Sequence, residues 1–546
     1  MGINRALADI LEESVKALRG CRFRSASRLQ RIAALPKSNE KFESDGTGQI
    51  LSKKRLLEIV LHNSQFSAYA SPPQKYEESM GTITSLMDIA QQALMANQEA
   101  LNVKSNNVAN QNTAGYTRQV VNFQSVDAVT LSGSTFGAGV TSSATSQRDR
   151  VLEQQVQQQT QTQAQSGALE SALKQIENVF SLSSTPSSAS STVLGTAINS
   201  FFSSLTALAS IPSDTATRQN VLTAANSLAG AFNSASNQLA QVSTSLNQQV
   251  GGDVGQVNSL ATTIASLNAQ ITSLSPNTDA GALEDQRQLA IAQLSKLVGL
   301  DQISTENNGI TLTTSSGAVL VSGSQSFAVS TTQVGGTTHI LAGVDGQDVT
   351  GNLTGGDLGG VLQARDQQLP SYQNALDSLA FGLGTQVNQQ NELGVDGNGN
   401  PGAALFSLPP TQSGAAALMA VTTTNPNAVA AAATGEGSAG NTNASALSDL
   451  SSAKVVGGQS ASGFLASFLG QIGSDTAAAT TNNSAQQATL TQLTTQRDSL
   501  SGVSLDEEAA NLTKYQRAYQ SAAQVFNIAN SIMASALNLG VQTSVT

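Results

Sequence analysis

Asp396, Asn398 and Asn400 alternate along the chain as the first oxygen ligands of a calcium loop do. Such a loop closes on a bidentate glutamate, but the corresponding position is Ser407, so the stretch reads as a Gly-rich turn. The pairs Gly355-Gly356 and Gly359-Gly360 could cradle a phosphate, yet neither a Walker lysine nor a Rossmann pattern accompanies them, and they read as a turn and a helix start. His339 lies in a Thr-rich, strand-like stretch with no evident acid or nucleophile partner, which suits a surface or internally satisfied histidine. Tyr515 and Tyr519, four apart, share a helix face and suit packing better than ligand stacking. One cysteine, Cys21, can neither close an intrachain disulfide nor supply a thiolate zinc site. No set of carboxylates converges outside helix starts, so no catalytic, cofactor-binding or metal-binding residues are assigned and no enzyme is expected.

The elements that position these residues come from a chain of 546 residues, enough for roughly three to four folding units. Hydrophobic residues are 39%, aromatics 4%, and tryptophan is absent, which predicts small cores spread along the molecule. The net charge of -11 argues against a nucleic-acid partner. That charge is uneven: residues 1–79 hold 13 Lys and Arg against 9 Asp and Glu, whereas the remainder is acidic and rich in Gln, Asn, Ser, Thr, Ala and Gly. The break at Met80 is read as the true start, residues 1–79 being an extension of doubtful reality; the alternative is an extra domain. If translated, its basic Arg19 to Arg31 stretch is read as a solvated charge run or, alternatively, an amphipathic surface helix. Charges at Arg5, Asp9, Glu12, Glu13 and Lys16 interrupt any secretory signal, and no uninterrupted apolar run reaches the roughly 18 to 20 residues of a membrane span, so no membrane insertion is expected.

From Met80 the chain predicts a mainly α, elongated, multidomain protein with small β-rich domains. Met87, Leu94, Leu101 and Val108 recur every seven residues, with Ile83 and Ala90 in a second seam and Leu86, Ala93 and Ala100 beside it. At the other end Leu505, Leu512, Tyr519, Phe526 and Met533 do the same, flanked by Tyr515, Ala522, Ala529 and Ala536 and by Val525, Ile532 and Leu539. These segments are expected to pair as a coiled coil. Ser504 with Glu507 predicts a capping box, and Asp506, Glu507 and Glu508 suit the positive end of a helix dipole. Helices are expected over about 151–180, 192–208, 217–246, 254–274, 283–298, 358–393 and 464–500, Pro370 kinking the sixth or beginning a second segment. The grouping expected is 80–120 with 501–546 as the terminal coiled-coil domain; 121–300 with 355–395 and 460–500 as a helical middle domain and central bundle; 301–354 as a β-rich domain; and 396–459 as β or coil.

After the first seam stands NNVANQNTAGYTRQ (Asn106 to Gln119), which resembles the ANxNTPGYxRQ consensus of the bacterial flagellar rod, hook and hook-associated axial proteins. Asn110, Asn112, Thr113, Gly115 and Tyr116 match, and Ala114 replaces the usual proline. Three further stretches, Gly355 to Ala380, Val387 to Phe406 and Ser501 to Ala523, are similar to the hook-associated members that join hook to filament. The resemblance runs from about Met80 to the C-terminus, weakly between Pro410 and Val456. It implies an extracellular subunit, transiently cytoplasmic and then exported unfolded through the flagellar type III channel. It also implies a homo-oligomeric tubular ring touching the hook protein and a second junction protein, with an export chaperone on about Leu505 to Leu539. The seam and motif residues would form the assembly interface. Asn106 and Asn110 share a helix face and bond either across subunits or locally. The competing readings are another axial subunit, such as hook or distal rod protein, and a polysaccharide-cutting enzyme or adhesin.

Overall fold

The computed structural model describes residues 77–126, 129–131, 134–136, 139–181, 192–274, 280–304, 309–437 and 439–542. The 1–79 extension lies outside the described residues apart from its last three, which begin helix α1, Glu77–Asn110. An antiparallel ribbon follows, made of β1 (Gln119–Val126) and β4 (Gly139–Ser146), with the short strands β2 (Val129–Leu131) and β3 (Ser134–Phe136) at its far end. The sequence reading placed residues 121–146 in a helical domain; the structure corrects this. Eight paired positions, from Gln119 opposite Ser146 to Val126 opposite Gly139, make the ribbon, and its Val, Phe and Thr residues favour extended backbone over helix.

Four helices come next: α2 (Arg150–Val179), α3 (Val193–Ser210), α4 (Thr215–Ser273) and α5 (Gly281–Leu297). Asp149 and Asp214 cap α2 and α4, each accepting two backbone N–H bonds that would otherwise be unsatisfied. Two expected helices, 217–246 and 254–274, are in fact one helix of 59 residues. Gly251, Gly252 and Gly255 each cost about 1 kcal/mol there, but Leu246, Val250, Val254 and Val257 continue the buried stripe through them, and that burial wins. Helix α3 is, among the described residues, the one helix long and apolar enough to cross a membrane by length and composition. Its Leu194, Ile198, Phe201, Leu205 and Leu208 are buried in the core.

Seven short strands follow: β5 (Leu300–Ser304), β6 (Ile310–Thr314), β7 (Val319–Ser322), β8 (Gln325–Ser326), β9 (Ser330–Val334), β10 (Thr337–Ala342) and β11 (Gln347–Asp348). They form one sheet in the order β5-β6-β7-β8 and another in the order β11-β10-β9. Helix α6 (Gly356–Gln363) then runs through a π-turn (Ala364–Gln368) into α7 (Leu369–Glu392). Pro370, expected to kink the helix, sits just after that turn, where a proline's missing N–H is tolerated. The glycines of the two pairs serve close packing as well as turning: a Cβ on Gly356 would come within 2.4 Å of the Leu297 and Val298 backbone, and one on Gly360 within 2.2 Å of the Gln165 carbonyl. Residues 394–459 hold four short strands, β12 (Gly394–Val395), β13 (Phe406–Ser407), β14 (Ala420–Val421) and β15 (Ala432–Ala433), and the helices α8 (Ala415–Leu418) and α9 (Thr442–Asp449). The long α10 (Ala461–Ser501) and α11 (Leu505–Gln542) close the chain.

Two main cores divide α4 between them. One joins its first half to α3, α7, α9 and the start of α10 around Phe201, Phe232, Phe406 and Phe468; the other joins its second half to α5, α6 and the β6, β7 and β10 strands. Arg218, buried on α4, fastens the 394–459 segment to the first core by donating to the Pro212 carbonyl at 2.9 Å and to the Val429 carbonyl.

Asp253 lies among the glycines of α4, 7% exposed, with no hydrogen-bond partner for Oδ2 among the described residues. Burial, and secondarily the charge of Asp357, pushes its carboxyl up to about 6. The folded chain thus holds this proton more tightly than the unfolded chain, so the ionised group destabilises the fold at neutral pH and the penalty fades as pH falls. Asp253→Asn is expected to raise stability by about 2 kcal/mol above pH 6. That gain should shrink on acidification and vanish near pH 4, as denaturant titrations of both proteins would show.

Candidate functional site

The motif that follows α1 terminates it through local bonds. Asn110 Nδ2 donates to the Asn106 carbonyl at 3.0 Å, Asn110 Oδ1 accepts from Thr113 Oγ1 at 3.2 Å, and the Tyr116 N–H donates to the Thr113 carbonyl at 3.1 Å. Asn110 thus makes a local side-chain bond, to which Asn106 contributes its backbone carbonyl. Gly115 has φ +79°, a conformation that favours glycine. Asn112, Thr113 and Ala114 remain exposed beside a groove of about 410 Å3 that is also lined by Arg497 and Val503.

Beneath this turn is a cluster that sequence reasoning missed. Asn107 is fully buried: its Oδ1 accepts from the Tyr116 hydroxyl at 2.8 Å and the Gln119 N–H at 3.0 Å, and its Nδ2 donates to the Gln119 carbonyl at 2.9 Å and to Glu508 Oε2 at 3.2 Å. Glu508, at 0% exposure, also receives Lys104 Nζ at 3.1 Å and Arg118 Nε at 2.8 Å. Arg118 Nη2 reaches Glu507 at 2.6 Å, and its backbone N–H donates to the Ser501 carbonyl at 3.0 Å. The end of α1, the motif and the start of α11 are therefore joined by one polar latch. Two cations balance two carboxylates within it, so the buried charges are paired, as low-dielectric surroundings require.

Burial lowers the affinity of the Arg118 guanidinium for its proton, but Glu507 and Glu508 outweigh that and hold it raised; Arg118 in turn holds Glu507 below its usual value. Burial, then the charges of Asp285 and Glu508, pushes the Tyr116 hydroxyl up to about 12. Asp285 on α5 extends the latch by accepting the Thr117 N–H at 3.1 Å and pairing with Arg148. The acidic run at 506–508 was read as a helix start. It begins α11, with the Ser504 carbonyl accepting the Glu508 N–H at 2.9 Å, but Glu507 Oε1 is committed to Arg118.

Helices α1 and α11 run antiparallel alongside one another from this latch. On α1 the stripe that is buried is Ala90, Ala96, Ala100 and Val103, continued by Lys104 and Asn107; Met87, Leu94, Leu101 and Val108 flank it, half-buried. The buried stripe meets the ribbon as well as α11: Ala100 and Val103 cluster with Val121 of β1, and Ala144 of β4 packs against them beside Tyr515. On α11 Leu512, Tyr519, Phe526 and Met533 are half-buried, Ala529 is fully buried and Leu505 is exposed. Tyr515 packs on Ala100, Val103 and Val121, and its ring lies 5.8 Å from that of Phe123 on β1. Val525, Ile528 and Ile532 form a separate apolar stripe at 41%, 57% and 46% exposure.

The residues first weighed for chemistry have internal roles. His339 does have an acid partner, contrary to expectation: Nδ1 lies 2.7 Å from Asp348 Oδ2, while Asp348 Oδ1 accepts from the Thr350 N–H and hydroxyl, pinning the β10–β11 turn. Asp396 Oδ1 accepts the Asn398 and Asn400 N–H groups, both at 2.8 Å, and so closes its own loop. Among the described residues no three His, Cys, Asp or Glu side chains gather as a metal would need.

Residues 173–406 match the family described as the flagellar hook-associated protein FlgK helical domain. Residues 87–117 match the flagella basal body rod protein family, and residues 495–539 match the flagellar basal body rod FlgEFG protein C-terminal family, so these two matches fall on the paired terminal helices. Flagellar hook-associated protein 1 of Escherichia coli (strain K12) is 29% identical over 84% of this chain and 100% of its own length. That of Bacillus subtilis (strain 168) is 27% identical over 83% and 97%. The structure described as the flagellar hook junction protein FlgK from Burkholderia pseudomallei is 21% identical with a TM-score of 0.58, covering 64% of this chain and 100% of that one. With the rod-type segments on its latched terminal helices and the hook-associated helical domain between them, the chain is similar along most of its length to the flagellar hook-associated proteins.

Proposed function

We propose that the chain is a structural subunit of the bacterial flagellum, forming the junction between hook and filament. It leaves the cytoplasm unfolded through the flagellar type III route and assembles outside the cell as a tubular ring of its own copies. The hook protein lies below the ring and the second junction protein above it. The observation that carries this reading is the apolar stripe Val525, Ile528 and Ile532, left in water on a terminal helix whose other face is already occupied by α1. Such a stripe is an interface in waiting. The exposed motif residues Asn112 and Thr113 lie on the surface beside the latch and suit the same use. The role is mechanical, since the buried polar groups of the latch are spent on holding helices. An export chaperone would bind about residues 505–539 before assembly; a truncation lacking them that still bound the chaperone would refute that part.

A deletion strain is expected to build hooks but shed filament protein into the medium, and purified protein should cap isolated hooks in electron micrographs. Loss of the hooks themselves would instead indicate a hook or rod subunit.

A further inference from the structure

Helices α2 and α10 run antiparallel in the stem below the terminal pair, and their facing positions follow the three-four spacing of a helix seam. On α2 these are Leu152, Val156, Gln159, Gln163, Ser166, Glu170 and Leu173; on α10 they are Ile472, Thr476, Ala479, Asn483, Gln486, Leu490 and Leu493. The centre of the seam is polar. Gln159 Nε2 donates to Gln486 Oε1 at 2.7 Å and to its carbonyl at 3.1 Å, and Gln163 Nε2 donates to Asn483 Oδ1 at 3.1 Å. Asn483 Nδ2 and Thr480 Oγ1 donate to Glu170 at 2.6 and 3.0 Å. Apolar positions lie on either side of these polar layers.

Polar layers stabilise a seam less than leucine would, and their use is discrimination. A slip of one heptad, about 10 Å along the axis, would set Gln163 and Gln159 opposite Leu490 and Leu493 and strand their amides without partners. The remaining seam residues cannot enforce this alone, because Thr476, Ala479 and Ser166 are small and fit many offsets. We propose that the Gln159–Gln486 and Gln163–Asn483–Glu170 ladder is the register key of the stem, fixing one axial offset between α2 and α10 at a cost in stability. Because α10 leads into α11 and α2 follows the β1–β4 ribbon, that offset sets where the latched terminal pair stands relative to the two main cores.

The test uses the full chain carrying Cys21→Ser, with spin labels on cysteines introduced at the exposed positions Gln158 and Gln487. The parent should give one narrow distance distribution. The variant Gln159→Leu, Gln163→Leu, Asn483→Leu and Gln486→Leu should melt several degrees higher and add a second distance population, displaced by up to about 10 Å. A single narrow distance in that variant, or a lower melting temperature, would overturn the proposal. Should the variant not fold, the cycle Gln163→Ala, Asn483→Ala and both together gives an independent readout. Coupling of at least about fivefold in the unfolding equilibrium is expected, and additive effects would overturn the ladder's role.

Discussion

Glu508→Ala is expected to destabilise the terminal helix pair by about 3–5 kcal/mol, the cost of breaking a buried ion pair by removing one partner. Lys104, 3% exposed, would be left with its ammonium buried and uncompensated, Asn107 would lose one of its four hydrogen bonds, and Arg118 would keep only Glu507. The readout is amide exchange along residues 96–108, which should accelerate by about a hundredfold or more if opening becomes that much easier. Lys104→Met with Glu508→Met separates the charge from the packing. Replacing both members with apolar groups of similar length removes the stranded charge, so most of the protection should return. Moderate salt should change neither result much, because the group is out of reach of screening ions, unlike the exposed Arg497–Asp498 pair. Unchanged exchange in Glu508→Ala would mean that the apolar stripe alone holds the helices.

Periodicity located the terminal helices correctly, because a seven-residue repeat is a property of spacing and survives any choice of partner. It did not identify which residues of the repeat face inward. Met87, Leu94 and Leu101 are the larger side chains and drew the seam toward themselves, whereas Ala100 and Val103 are buried where the β1–β4 ribbon and Tyr515 meet on α1. Glu508 and Asn107 were invisible for a different reason. A carboxylate in the first turn of a helix is already explained by the helix dipole, and an asparagine in a helix-stop motif is already explained by the turn. Only a chain reversal of some 400 residues brings them together. Lys104 offered one signal, since it interrupts an otherwise apolar and small-residue helix face where a cation is costly to bury unpaired. The same limit applied to α4: two helices were expected where Gly251, Gly252 and Gly255 sit in one, and the burial of Val250, Val254 and Val257 that carries the helix through them is a tertiary fact. The ribbon of β1 and β4 went unread because its hydrophobic alternation is weak, with Asn122, Gln124 and Ser125 exposed on β1 and Thr141, Ser143 and Thr145 on β4.

The double substitution Ile528→Lys and Ile532→Lys is expected to abolish assembly while leaving the isolated subunit folded. Both side chains are exposed, so exchanging them should move stability by no more than about 0.5 kcal/mol each. In an assembled tube the same positions would face neighbouring helices, where burying two ammonium groups without partners carries a penalty of several kcal/mol per contact, repeated at every subunit. The expected result is an unchanged melting curve together with complete loss of hook capping and, in cells, of filament attachment. The counterpart Asn527→Lys tests specificity, since Asn527 is exposed on the same helix but points well away from the Val525, Ile528 and Ile532 stripe. It should assemble normally. If the double variant caps hooks as well as the parent, the stripe is not the interface and the terminal helices must join through the motif turn at Asn112 and Thr113. If it fails to fold, Ile528 and Ile532 have a neighbour inside the subunit and the proposal that copies meet on this face is wrong.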